Sequence, residues 1–302
     1  MAEKDITQKL LEDHNDVFAD IINTLVFDGE QVIQPEELET VTTLSTYKMA
    51  GKMHSQERDV LKAWKQGYIR IAMCGIENQT TVDADMPLRI ISYDGAGYRA
   101  QLSDETSPEQ ERYPVITLVL FFGKGRWTGP KNLLGRVKVP KGMEALVSDY
   151  RINVFEIGQL SEDKIRKFTS DFQVVADYVT QMEQKREYTP SGKSLHHIDE
   201  VMDLLEALTK VSKYKEAVSV MKQIKEQEGE VSMRSAWGEA IVRGEERGRQ
   251  QGKEEGWMEA CETMAKAMLQ EAGYSKDMII RITKLSKNRI DELEKEVMQA
   301  EA

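Results

Sequence analysis

Apolar residues recur at helical spacing between residues 4 and 27: Ile6, Leu10, Val17, Phe18, Ile21, Ile22 and Leu25. That period predicts a helix, stopped at Asp28-Gly29. Residues 31–48 are mixed, and Pro35 opens a short turn or helix among them. Asp59 to Trp64 and Ile69 to Gln79 read as two strands, with Lys65-Gln66-Gly67-Tyr68 between them as a hairpin turn. Pro87 suits the first turn of a short helix or the end of an extended segment. Val115 to Phe122 is a continuous apolar run, the pattern of a strand buried on both faces, and Ile152 to Ile157 reads as a further short strand. From Ser161 onward the pattern is almost wholly helical. This order predicts an α/β (α+β) protein with a mixed sheet flanked by helices over residues 1–160 and a helical extension over 161–237.

Residues 238–302 form a third segment. "GEERGRQQGKEEGW" sets Gly244, Gly248, Gly252 and Gly256 four residues apart, with charged or amide residues between them. On a helix they fall along one slowly drifting stripe, and each costs about 1 kcal/mol against alanine. Either a partner helix approaches that stripe closely, or the segment is a linker or loose helix. Beyond it, Gly273 reads as a helix C-terminal glycine, and Ser275 and Ser286 as N-caps. Three short helices result. Their outline fits a helix-turn-helix or a small oligomerisation unit, and no basic recognition face decides between them.

Composition narrows the class. The chain has 302 residues, 40% hydrophobic and 31% charged, with a formal net charge of −11. A nucleic-acid partner must therefore be held by a local basic patch. Cys74 and Cys261 make no disulfide framework or zinc site. The charged, helical N-terminus does not read as a signal peptide, and "VITLVLFF" is too short to span a membrane. A soluble cytoplasmic protein is the expectation. His196-His197 stands at a helix start without clustered acidic or cysteine partners and reads as capping or surface.

The segment "IRIAMCGIENQTTVDADMPLR" carries the candidate chemistry. Its apolar strand ends in Glu77-Asn78-Gln79, and period two puts Glu77 and Gln79 on one face with Asn78 on the other. The same pattern also describes a strand leaving the core. A hairpin centred on Tyr68 sets Asp59 opposite Glu77, whereas a turn centred earlier offsets them unless a bulge intervenes. Two carboxylates converging at a sheet end bind a hard cation such as Mg²⁺ through oxygen. Gly123 to Gly142 holds Lys124, Arg126, Lys131, Arg136, Lys138 and Lys141 with no acid, and Trp127 among them. Such a loop reads either as solvated surface or as a DNA contact, the cations on phosphates and the indole stacking. Arg89 suits a phosphate or a carboxylate.

Acid, gap, then acid-x-Gln resembles the PD-(D/E)XK nuclease pattern, with Gln79 in the place of the lysine. More specifically, Asp59, Ile76-Glu77-Asn78-Gln79-Thr80, Met86-Pro87-Leu88-Arg89, Tyr93 and the Pro114 to Gly123 strand resemble the recombination-promoting nuclease and putative transposase family of that superfamily. "NDVFADIIN", Asn15 to Asn23, is similar too. The resemblance covers residues 5 to 180 and reaches the tail by character more than by motif. It implies a metal-dependent DNA endonuclease using Mg²⁺ or Mn²⁺. Asp59 and Glu77 would be metal ligands, joined by the backbone carbonyl of Asn78, and Gln79 would orient the attacking water, since an amide is no general base at neutral pH. A first-helix acid often assists in this superfamily; Asp20 is the first candidate and Asp16 the second. The expected DNA contacts are Arg89, Lys124, Arg126, Trp127 and Lys131. The alternative is a catalytically silent DNA-binding or assembly protein on the same fold. Self-association through the C-terminal helices, as a homo-oligomer, is expected on either reading.

Overall fold

The computed structural model describes residues 3–42, 44–49, 52–67, 69–102, 112–184, 188–209, 213–235, 256–270 and 274–300. The chain divides into two compact units, Met1–Trp237 and Gly238–Ala302.

The first unit opens with two helices where the periodicity predicts one, α1 (Glu3–Glu12) and α2 (Asn15–Val26). The break has a chemical cause. Lys62 is fully buried, and its ammonium donates to the Asp13 carbonyl at 2.7 Å, the Asp13 carboxylate at 3.0 Å and Thr40 Oγ1 at 2.8 Å. All three of its protons are thereby used, and a carbonyl turned toward this lysine is not available to the next helical turn. α2 buries Val17, Phe18, Ile21, Ile22 and Leu25. It ends where Asp28 and Gly29 adopt positive φ, with the Phe27 and Gly29 amides both donating to the Asn23 carbonyl, a left-handed helix stop. Pro35 opens a 3₁₀ turn (Pro35–Glu37).

Five strands form one mixed sheet: β1 (Leu38–Thr40), β4 (Val60–Gln66), β5 (Ile69–Gln79), β6 (Val115–Phe121) and β7 (Asn153–Glu156), in the order β1-β4-β5-β6-β7. β1, β4 and β5 pair antiparallel, whereas β5, β6 and β7 pair parallel. A second hairpin, β2 (Leu44–Met49) and β3 (Lys52–Glu57), stands as its own two-stranded sheet. Its alternation is too polar to read as strand from sequence. The parallel step from β5 to β6 needs a crossover, supplied by α3 (Met86–Leu102), a longer helix than Pro87 alone suggests.

Met86, Ile90 and Tyr93 of α3 pack against Val119 and Phe121 of β6, with Trp127 and Ile152. The pleat turns Leu118 and Leu120 to the other face, and these are equally buried. Arg58 ties the layers together. Its guanidinium donates to Asp94 of α3 at 3.0 Å, and Asp94 also accepts from Thr117 at 2.5 Å and Tyr150 at 2.6 Å. Arg58 reaches Asp94 across β5 at Gly75, where a Cβ would lie 2.5 Å from the arginine Cδ.

α4 (Glu162–Arg166), α5 (Phe172–Glu183), α6 (Ile198–Thr209) and α7 (Lys213–Glu228) complete this unit. Asp20 joins α2 to the turn that opens α5. Its carboxylate accepts from the amides of Thr169 at 2.9 Å and Ser170 at 2.8 Å, and from the hydroxyls of Thr169, Ser170 and Thr24.

In the second unit, α8 (residues 256–270), α9 (Lys276–Thr283) and α10 (Lys287–Ala300) enclose Cys261, Ala265, Ile279, Leu285, Ile290 and Leu293. Ser275 and Ser286 accept the amides of Met278 and Arg289, each at 3.3 Å, as N-caps. Gly244, Gly248, Gly252 and Gly273 lie outside the described residues. No described helix is long and apolar enough to cross a membrane.

Asp20→Ala strips several charge-assisted bonds and strands buried donors. It should cost about 3 kcal/mol, read as a lowered midpoint in urea unfolding.

Candidate active site

The hairpin turn is centred half a residue ahead of Tyr68, which offsets the pairing by one, and a bulge restores the register. Gln66 pairs with Ile69 and Lys65 with Arg70, but Trp64 pairs with Ala72, leaving Ile71 unmatched. From there Val60 faces Ile76, which sets Asp59, one residue before β4, opposite Glu77. The Asn78 amide donates to Asp59 Oδ2 at 2.7 Å and closes the strand end. In a strand the N–H and C=O of one residue point to the same side. The Asn78 carbonyl therefore also points toward Asp59.

Glu77 and Gln79 share a face, and Gln79 Nε2 donates to Glu77 Oε1 at 3.3 Å. Arg89, one turn into α3, donates to the same oxygen, to Asp83 at 3.1 Å and to Tyr93 OH at 3.3 Å. Glu77 Oε2 is buried and has no hydrogen-bond partner among the described residues. Asn78 projects to the opposite face, as period two requires, and there its Nδ2 donates to Glu12 of α1 at 2.6 Å. Lys9, one turn earlier on α1, pairs with Asp59 Oδ1 at 3.0 Å.

Both buried glutamates hold their protons well above the ordinary carboxylate range. Burial pushes Glu77 up to about 8, and the nearby Asp59 charge adds to it, while Arg89, Arg58 and Lys9 pull the other way. Burial likewise pushes Glu12 up to about 8; the Asn78 bond lowers it and Asp59 raises it. Burial disfavours the Arg89 charge, but Glu77, Tyr93 and Asp83 hold it firmly protonated. Asp59, Glu77 and the Asn78 carbonyl are oxygen donors of the type a hard divalent cation takes. The unsatisfied Glu77 Oε2 is the acceptor such an ion would satisfy.

The first-helix acid at this cluster is Glu12. Asp20 is spent on Thr24, Thr169 and Ser170 in the α2–α5 joint, and Asp16 pairs with His197 at 2.9 Å. The sequence alone puts Asp20 first and Asp16 second and leaves Glu12 unweighed, because the break after α1 that separates their directions lies beside Lys62, far along the chain.

Among the expected DNA contacts, Trp127 is placed elsewhere. It is buried, edge-on to Phe121 at 5.3 Å between ring centres, and its indole donates to the Pro130 carbonyl at 3.4 Å. No face is left for a base. Lys124, Arg126 and Lys131 are exposed, with Arg126 and Lys131 leaning on Glu156 at 3.6 and 3.7 Å. Their loop starts beside the site. A Cβ on Gly123 would lie 2.5 Å from the Thr80 carbonyl, and Arg136 pairs with Asp85 ahead of α3.

A polar strand end carrying Asp59, Glu77 and Gln79 on a mixed sheet defines a carboxylate-bearing α/β protein. The chain belongs to the family described as "Putative transposase, YhgA-like", whose model matches residues 59–216. Neither the curated proteins nor the solved structures contain a match to the chain.

Between about pH 5 and pH 8 the folded protein retains protons on Glu12 and Glu77 that the unfolded chain releases, so its stability falls as pH rises. Glu12→Gln and Glu77→Gln should each flatten that fall. Thermal melts with chelator at pH 5 and pH 8 measure it, and an unchanged slope assigns it to other groups.

Proposed function

We propose that the protein is a metal-dependent endodeoxyribonuclease of the PD-(D/E)XK superfamily, acting in recombination or in a mobile element. One observation carries the reading: Asp59 and Glu77 face each other at adjoining strand ends, with Glu77 Oε2 buried and unsatisfied. The helix–hairpin–helix–strand order of α1–α2, β4–β5, α3 and β6 is compatible with that superfamily's core. The family description fits a protein that processes nucleic acid.

Asp59, Glu77 and the Asn78 carbonyl would hold Mg²⁺ or Mn²⁺. When bound, the ion supplies positive charge against phosphate oxygens and acidifies water. Gln79, on the face of Glu77, orients the water through its amide. Glu12, held by Asn78 on the far face of the strand end, would be the first-helix acid of the site. Arg89, which lies against Glu77, would be placed to turn its fork to a phosphate if that carboxylate held the ion. Lys124, Arg126, Lys131, Lys138 and Lys141 hold the flanking DNA backbone against the acidic whole. A second reading has its own support. Arg89 already sits on Glu77 Oε1, as in a silent protein that keeps the fold for DNA binding or assembly.

Plasmid nicking with Mg²⁺ or Mn²⁺, with and without chelator, separates the two. Asp59→Ala and Glu77→Ala should each reduce nicking at least about 100-fold. Gln79→Ala should cost about 10-fold or more, and Gln79→Lys should keep part of the activity. Equal rates for the wild type and Asp59→Ala would sink the enzyme reading and leave the silent one.

Self-association belongs to the second unit on this reading. Trp257, Met264, Met278 and Ile282 are exposed there, a surface that subunits would cover. A chain ending at Trp237 should stay folded and show fewer subunits by light scattering. An unchanged subunit count would move the contact to the first unit.

A further inference from the structure

We propose that His14, Asp16 and His197, with Glu200 beside His14, form a binding site for a divalent transition cation, Zn²⁺ foremost. It shares no residue with the Asp59–Glu77 cluster and does not depend on the nuclease reading.

The site joins two helix starts. His14 occupies the N-cap position of α2, where its side chain makes no capping bond, and Asp16 lies in the first turn. His197 directly precedes α6, and Glu200 lies in that helix's first turn. The backbone before α6 is held from below, because Asp171 accepts the amides of His196 at 2.9 Å and His197 at 2.6 Å. The acid that meets the His197 ring is Asp16 of α2.

One nitrogen from each histidine and one Asp16 oxygen all lie within 4.8 Å of one another. His197 Nε2 is 3.0 and 2.9 Å from the two Asp16 oxygens, and His14 Nε2 is 3.4 Å from Glu200 Oε1. Ligand atoms around a tetrahedral zinc ion sit about 3.4 Å apart, given bonds of about 2.0–2.2 Å. The His197–Asp16 pair would open slightly, and the wider separations would close toward that spacing. The imidazoles stack at 3.8 Å with planes 25° apart, so each presents an edge to a carboxylate. A slight splay of the rings turns both lone pairs to one point.

The chemistry selects the ion. With neutral rings the two carboxylates carry two negative charges, which a divalent cation neutralises. Imidazole nitrogen favours Zn²⁺ and its neighbours over Mg²⁺ or Ca²⁺, which take oxygen. Side-chain exposures of 20% for His197 and 36% for His14 leave an entry path without dissolving the cluster into solvent. Binding would latch α2 to α6 and stabilise the fold by mass action.

Zn²⁺ titration of the full chain against a chromogenic chelator tests this, with Co²⁺ absorption as a second readout. One histidine-dependent equivalent should bind, Co²⁺ should give the visible bands of a tetrahedral site, and Zn²⁺ should raise the melting temperature. His14→Gln and His197→Gln should each weaken uptake at least about 10-fold, whereas Glu77→Gln should keep the equivalent. His14→Gln alone decides the matter if His197→Gln does not fold, since the His14 side chain makes no cap bond. No stoichiometric uptake, uptake unchanged by the histidine substitutions, or uptake lost in Glu77→Gln overturns the site.

Discussion

Ile71 has no partner on β4, and that single extra residue turns the register of the long strand so that Asp59 meets Glu77. Without it Glu77 would oppose a neighbour of Asp59, and the strand face, which alternates residue by residue, would be misaligned. Glu77 would then reach α3 with no acid beside it. The Asn78 amide locks the arrangement onto Asp59, so the strand end and the carboxylate pair form together. Arg89, Tyr93 and Glu12 can approach only because this end is held in place. Bulges re-aim side chains in this way.

Buried charge is the second organising constraint. Lys62 sits wholly inside with three acceptors, and Arg58 crosses Gly75 to share Asp94 with Thr117 and Tyr150. Lys62 is matched proton for proton, whereas Arg58 bonds Asp94 through Nη2 and keeps Nε and Nη1 buried without hydrogen-bond partners among the described residues. Glu77 likewise has one buried oxygen without a donor there, and it stands at the polar strand end beside Asp59.

Much of this was legible in the sequence. The two site strands, the core strand and the polar exit at Glu77-Asn78-Gln79 are carried by local periodicity and appear close to where the pattern puts them, whereas the crossover helix runs well beyond the short helix that Pro87 allowed. The caps at Ser275 and Ser286 are equally local. What escaped was set at a distance. The break between α1 and α2 depends on Lys62, the choice of Glu12 over Asp20 follows from that break, and Trp127 is drawn inward by Phe121 and Ile152. The β2–β3 hairpin carries too little apolar alternation to be read. Asp16 and His197 meet across 181 residues, a separation no motif spans.

The joint at Asp20 also orders events during synthesis. Its acceptors are ready as soon as α2 emerges, yet the Thr169 and Ser170 donors lie 149 and 150 residues later. At ribosomal speeds of about 5–20 residues per second, that is a wait of roughly 7 to 30 seconds. For that time the nascent chain carries a carboxylate without its donors and an apolar face of α2 without α5. The N-terminal helices, first to be made, are among the last to be secured. A chaperone that shields Val17, Phe18 and Ile21 would act in that interval, and its work would end when the α5 turn leaves the exit tunnel.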